Sequence, residues 1–518
     1  MKLKLIFIIA LSSIFLMLSS CSNKEDSAYY EQYSPLTYHN SNVQDEDYSN
    51  EDYKHIEENR IMDVLTSPLS TFSIDVDTAS YSNMRRFLND GNMPQPDAIR
   101  TEELINYFSY DYNGPTGENP FSITTEVAPC PWNEQRQLAM IGIQGIKIDN
   151  EEFPPSNLVF LLDVSGSMNA SNKLPLVKDA LKLLVNNLDE DDTISIVVYA
   201  GSSGVVLEPT SGDQKDKIIR AFEGLQAGGS TAGGTGITRA YQLAKDSFIE
   251  GGNNRVILAT DGDFNVGVSS DSELTRLIEE KRDDDIFLSV LGFGTGNYKD
   301  SKMETLANKG NGNYAYIDSL LEAKKVLVEE MGSTLLTIAK DVKIQVEFNP
   351  AQVKGYRLIG YENRLLNNED FDDDTKDAGE LGAGHTVTAF YELIPADSDE
   401  DIDGIDDLKY QNRENTGSNE IMEVRIRYKE PTGDESKLIT EVVNSEDLTS
   451  NPSNNFKFAS SVAEFGLLLR DSDYKGTASY THIIETATAS KGDDTGGYRS
   501  EFIRLVKLAK ELDTRESE

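Results

Sequence analysis

Cysteine is nearly absent from this chain of 518 residues. Two residues, Cys21 and Cys130, exclude a disulfide framework and any zinc site built from several thiolates. Histidine is almost as scarce: His39, His55, His385 and His482 leave little material for histidine-based catalysis. Positive charge is also in deficit, with 48 Lys and Arg against 89 Asp and Glu and a formal net charge of −41. Phosphate backbones repel such a polyanion, which excludes nucleic acid as a natural partner, and anionic lipid surfaces are disfavoured for the same reason. No internal repeat of fixed period is present. The length suits about three domains, and an apolar share of 38% places the chain on the polar side of globular.

One long apolar run is present, and it lies at the N-terminus. Lys2 and Lys4 precede Leu5 to Leu18, a run with the length of a signal-peptide core and too short for a comfortable membrane span. It ends in Leu18-Ser19-Ser20-Cys21, which resembles a bacterial lipobox. The resemblance implies cleavage before Cys21, acylation of that cysteine (palmitate being one such chain) and a lipid anchor in the outer membrane. Residues 1–20 are then a signal peptide. Cys130 is left as the single internal thiol and is read as a packed or turn cysteine. Residues 21–60 are acidic, dotted with tyrosine and poor in aliphatics. They bury too little to offset ordering entropy, so a flexible tether is expected.

Beyond the tether the hydrophobic period changes three times. Residues 61–150 combine an alternating stretch at Thr71 to Val76, two short helical segments (Ser80–Leu88 and Ala98–Tyr107) and an apparent β-hairpin from Phe121 to Ile148. From 157 to 339, continuous apolar runs such as Leu158 to Leu162 alternate with helical spacing such as Leu174, Val177, Leu181 and Leu184. That pattern predicts a doubly wound α/β unit, with Leu320 to Ala339 as its closing helix. Residues 341–450 return to strand alternation, and 451–518 read as helical. The α/β unit is therefore inserted between two β-rich segments, which could pair into one discontinuous sandwich.

The polar residues at the ends of the predicted strands carry the chemistry. Asp163-Val164-Ser165-Gly166-Ser167 follows the first buried strand, Thr260-Asp261-Gly262 follows a later one, and Gly228-Gly229-Ser230-Thr231 opens a helix between them. Asp163, Ser165, Ser167, Thr231 and Asp261 are all hard oxygen donors, without Cys or His, which suits magnesium, manganese or calcium and not zinc. This unit resembles the von Willebrand factor A domain, and the three pieces match its metal-ion-dependent adhesion site. The resemblance implies Ser165, Ser167 and Thr231 as hydroxyl ligands, with Asp163 and Asp261 acting directly or through water. It further implies a protein partner whose acidic side chain completes the coordination. Thr71-Phe72-Ser73-Ile74-Asp75-Val76-Asp77 and Phe465-Gly466-Leu467-Leu468-Leu469-Arg470 extend the resemblance to a YfbK-like bacterial lipoprotein family over nearly all of 65–511.

Other motifs point elsewhere more weakly. Asp399-Glu400-Asp401-Ile402-Asp403-Gly404 starts like a calcium loop, but Tyr410 stands where a bidentate acid is needed, so a solvated acidic loop is expected. Gly292-Phe293-Gly294 reads as a strand-end turn. The sequence predicts a membrane-anchored, non-enzymatic protein that binds or assembles with another protein through a divalent metal. The alternative is an envelope scaffold whose metal only stabilises the fold.

Overall fold

The computed structural model describes residues 51, 53–148, 153–200, 204–228, 236–262, 271–296, 298–330, 332, 336–402 and 418–514. The N-terminal part of this region contains strands β1 (Met62–Asp63) and β2 (Leu69–Ser73), helices α1 (Ala79–Asn89) and α2 (Thr101–Asn106), and the hairpin β3 (Phe121–Cys130) and β4 (Asn133–Gly145). None of these strands finds a complete sheet in its own segment. β1, β2 and β4 pair with strands that follow the α/β unit, and β3 joins the sheet through β4.

That unit runs β5 (Ser156–Asp163), α3 (Leu174–Val185), β6 (Thr193–Tyr199), β7 (Gly204–Ser211), α4 (Lys215–Glu223), α5 (Gly236–Asp246), β8 (Asn253–Thr260), α6 (Asp271–Asp283), β9 (Phe287–Phe293), α7 (Asp300–Lys309), β10 (Tyr314–Ile317) and α8 (Leu320–Lys324). Its sheet has the order β10-β9-β8-β5-β6-β7, parallel except for the antiparallel edge strand β7. Both faces are covered. Leu158, Phe160 and Leu162 face one apolar core, and Val159 and Leu161 face the other, which is why β5 reads as an unbroken apolar run. The chain leaves β5 toward β6 on one side and later returns to β8 on the other. The crevice between β5 and β8 at their carboxyl ends is thus the topological switch point, where such sheets bind ligands.

After the unit come β11 (Thr337–Phe348), β12 (Val353–Ile359), β13 (Gly379–Gly382), β14 (Thr386–Pro395), β15 (Glu420–Lys429) and β16 (Ser436–Asn444). These complete two sheets. One has the order β1-β12-β14-β4-β3. In the other, β13-β11-β15-β16, strand β2 also pairs along β11. Their inner faces share one core that includes Phe72, Ile141, Val346, Leu358 and Val424. The β-rich segments therefore form a single sandwich that is discontinuous in sequence. Helices α9 (Asn454–Leu469), α10 (Tyr480–Ala489) and α11 (Tyr498–Leu512) pack with α1 and α2 on another core through Tyr81, Leu104, Phe108, Phe458, Phe465 and Phe502.

The closing helix expected over Leu320 to Ala339 is corrected by the structure. α8 ends at Lys324, a wide π-helical turn continues to Glu329, and strand β11 begins at Thr337. Leu320 and Leu321 are half exposed, whereas Ile338, Val342, Ile344 and Val346 are buried. The apolar run around residue 336 suits a helix or a strand equally. Pairing of β11 with β13 and β15 settles it as a strand.

Cys130 ends β3 and is buried, and desolvation pushes its thiol up to about 12. It is a packed, unreactive cysteine. Its neighbour Trp132 donates from Nε1 to Glu392 at 2.5 Å, and Glu392 also accepts from Arg357 and Arg136.

Candidate metal centre

The carboxyl ends of β5, β6 and β8 lie side by side because the three strands are parallel neighbours. Asp163 is the last residue of β5 and is paired in register with Tyr199, the last residue of β6. Both oxygens of Asp163 are engaged. Oδ1 accepts the Ser165 N–H at 2.8 Å, which closes the tight turn after the strand, and Oδ2 accepts the Tyr199 hydroxyl at 3.1 Å. Burial pushes the Asp163 carboxyl up to about 6 against the pull of these hydrogen bonds, and the nearby negative charge of Asp261 adds to the rise.

Ser165 is buried and Ser167 exposed, and their hydroxyls lie 2.8 Å apart. Met168, next in the chain, is buried, and its N–H donates to the Ser165 carbonyl at 3.1 Å. Asp261 follows β8 and is 2% exposed. Its Oδ2 accepts from Lys173 Nζ at 2.8 Å, while its Oδ1 has no hydrogen-bond partner among the described residues. A buried carboxylate oxygen without a donor is costly, and a bound cation would relieve that cost. The fit to a hard divalent ion rests on this oxygen and on a donor set made only of oxygen. Among the described residues no group of three or more His, Cys, Asp or Glu could hold a metal, so any ion here depends on hydroxyls as well as the two carboxylates.

Thr231 and Cys21 lie outside the described residues, as do Asp403, Gly404 and Tyr410 of the acidic loop. The described ends of the segment that carries Thr231 both border the site. Gly228 N–H donates to the Val164 carbonyl at 2.9 Å, and Gly236 opens α5 so close to Tyr199 that an added Cβ would lie 2.8 Å from the tyrosine Cβ.

Lys173 and Tyr199 are the two site residues that sequence reasoning missed. Tyr199 was findable, since it ends a predicted strand beside the strand that ends in Asp163. Lys173 carried no such signal. It reaches Asp261 because its stem lies across Gly294, where a Cβ would meet Lys173 Cε at 2.3 Å and where the backbone has φ +76°. Gly294 thus belongs to a strand-end turn that leaves room for the lysine.

Three family models match this chain. One described as von Willebrand factor covers residues 47–140, the von Willebrand factor type A domain covers 157–330, and the C-terminal region of uncharacterized protein YfbK covers 333–512. The chain is 45% identical over 467 residues to uncharacterized protein YfbK of Escherichia coli strain K12, covering 88% of this chain and 80% of that one. It is 27% identical over 193 residues to human inter-alpha-trypsin inhibitor heavy chain H3, covering 35% of this chain and 22% of that protein. Among solved structures, a von Willebrand factor type A protein from Catenulispora acidiphila is 14% identical with a TM-score of 0.41, covering 76% of this chain and 91% of that one.

Proposed function

We propose, for a chain that belongs to the YfbK family of von Willebrand factor type A proteins, that it is a non-enzymatic binding protein of the bacterial envelope whose central domain engages a protein partner through a divalent cation. The observation that carries the reading is the buried Oδ1 of Asp261, unpartnered among the described residues, beside Asp163 and the Ser165–Ser167 hydroxyl pair, at the switch point of the sheet. Asp163, Ser165, Ser167, Thr231 and Asp261 would hold magnesium, or manganese or calcium. When bound, such an ion supplies a coordination position that an acidic side chain of the partner can fill.

The protein's own residues prepare that position. Tyr199 and the Ser165 N–H fix the Asp163 carboxylate in one orientation. Lys173 holds one oxygen of Asp261, so that the other is left for the ion. Neutral hydroxyls in place of further carboxylates leave the ion's charge incompletely compensated, and an acidic ligand is then attracted. Anchoring is proposed through lipid on Cys21 in the outer membrane. Among the described residues no helix is long and apolar enough to cross a membrane.

The test is capture of a partner by the intact protein in magnesium and in chelator, with a Ser165→Ala/Ser167→Ala variant alongside. Loss of the partner in chelator and in the variant is expected. Capture at equal strength in all three would assign the metal a purely structural role and make the protein a scaffold. Full-strength magnesium binding by Asp163→Ala would remove the site assignment itself. For the anchor, Cys21→Ala should release the protein from the outer-membrane fraction, and an acylated N-terminus at another residue would refute it.

A further inference from the structure

Far along the chain from the strand-end site, α2, the N-terminal end of α7 and the turn after β12 enclose a cavity of about 160 Å³. Its rim is formed by exposed residues of the 54–57 stretch and by Asn363, so it opens to solvent. Its lining holds more carboxylates than cations: Glu102, Asp300, Glu304 and Glu362, with Glu57 at the rim beside Lys54 and His55. Most of these have partners. Arg100 is committed to Glu103 and Asp300, and Arg470 donates to Glu362 at 2.8 Å. Glu304 accepts from Asn363 Nδ2 at 2.6 Å.

Glu102 is the exception. It is 1% exposed, and among the described residues neither of its carboxylate oxygens has a hydrogen-bond partner. The backbone N–H groups of Glu102 and Tyr361 lie near enough to offset part of the burial, but neither completes a hydrogen bond to it. Beside it the backbone is kept clear. A Cβ at Gly360, where φ is +73°, would sit 2.5 Å from Glu102 Oε2. Burial, and then the charge of Glu362, push the Glu102 carboxyl up to about 8, so near neutral pH it holds a proton that a bound cation would displace.

We propose that this cavity is a binding site for an organic cation bearing N–H donors, an alkylammonium or guanidinium head that pairs with Glu102. Glu304 and Glu362 supply the surrounding negative field. A bare divalent ion fits less well, because among the described residues no three His, Cys, Asp or Glu side chains are placed to hold one. The cavity has room for the head and first methylenes of one chain, not for a folded segment. The head can therefore belong to a free amine or to a lysine or arginine side chain of a partner.

The test uses the full chain with n-butylammonium and n-butylguanidinium as probes, read by calorimetry and by thermal midpoint at constant ionic strength. Tetramethylammonium is the control, a cation of similar size without N–H donors. A saturable rise with the first two and none with the control is expected. Glu102→Gln keeps the shape and removes the group that ionises when a cation binds, so binding should weaken by roughly tenfold or more, as expected for loss of a charge-assisted hydrogen bond. Glu304→Gln should weaken it less, and serves alone if the first variant does not fold. A short peptide ending in lysine, compared with its acetyl-lysine form, separates the two sources. Binding of the unmodified peptide more tightly than butylammonium identifies a partner's side chain, and binding of the small amines without the peptide identifies a free amine. Absence of saturable binding by every probe would overturn the proposal, as would equal effects of tetramethylammonium or undiminished binding by both variants.

Discussion

Replacing Arg364 with Met should destabilise the whole assembly, because this one guanidinium ties three distant segments together. Its Nε donates to Asp75 at 2.9 Å and a terminal nitrogen donates to Asp77 at 3.0 Å, with Glu304 of α7 at 3.8 Å. Asp75 and Asp77 are buried, and Asp77 also accepts the Tyr314 N–H of β10 at 2.8 Å. The two aspartates precede α1, the arginine follows β12, and the tyrosine and glutamate belong to the α/β unit. Methionine keeps much of the apolar stem and deletes the charge, leaving two buried carboxylates without their cation. Removing one partner of a buried pair costs about 3–5 kcal/mol. Burial, and then the charge of Asp75, already hold Asp77 well above the ordinary carboxylate range. In the variant one of the pair would take up a proton, which keeps the loss near the lower end of that interval.

The same reasoning fixes the pH dependence. A carboxyl whose value is raised in the folded state keeps a proton that the unfolded chain releases, so stability falls as pH rises above the unfolded carboxylate value. The loss caused by Arg364→Met should therefore be larger near pH 8 than near pH 5. Urea denaturation at both pH values measures it. Adding Asp75→Asn and Asp77→Asn to Arg364→Met should recover most of the loss. A deficit under about 1 kcal/mol at the higher pH, or no recovery in the triple variant, would refute the account.

Three further outcomes follow from single contacts. Lys173→Met removes the cation on Asp261, so the metal-free protein should melt earlier and magnesium should raise its midpoint more than that of the wild type; an unchanged magnesium response would count against a shared carboxylate. His482 Nδ1 lies 2.8 Å from Glu464, and that hydrogen bond raises the imidazole above its ordinary value. Its contribution, small because the side chain is 43% exposed, is complete below the unfolded value of about 6.5 and lost as pH rises through the folded one; His482→Gln should flatten that decline, and an NMR titration of the ring checks the direction. Gly312→Ala would place a Cβ 1.9 Å from the Leu288 carbonyl oxygen, so the α7–β10 connection must shift and stability should fall by at least the ~1–3 kcal/mol of ordinary overpacking, as measured by thermal melting.

The α/β unit was legible because strands buried on both faces read as unbroken apolar runs, such as Leu158 to Leu162, and helices buried on one face read at helical spacing, as from Leu174 to Leu184. The strand-end position of Asp163 and Asp261 was legible for the same reason: once the strands are placed, the residues that terminate them are fixed. The run before Val342 was not legible. Short apolar stretches satisfy both periods, and only the partners β13 and β15 decide between them. Nor was Lys173, whose contact with Asp261 spans 88 residues and needs the space left by Gly294.

Outside the run before Val342, the sequence alone determined the classes of element and their order, since periodicity and turn chemistry act over a few residues. It also determined the chemical character of the strand-end cluster, because the types of donor atom are fixed by residue identity. Tertiary structure decided how the flanking β segments combine. β2 pairs with β11, β1 with β12 and β4 with β14, across the inserted unit. It decided likewise that Asp75 and Asp77 share Arg364, and that Glu102 is buried without a hydrogen-bond partner among the described residues while its neighbour Glu103 is held by Arg100. These are pairings between groups hundreds of residues apart, or orientations of side chains only one position apart. Neither leaves a local pattern, because each is fixed by which surfaces meet once the chain has closed on itself.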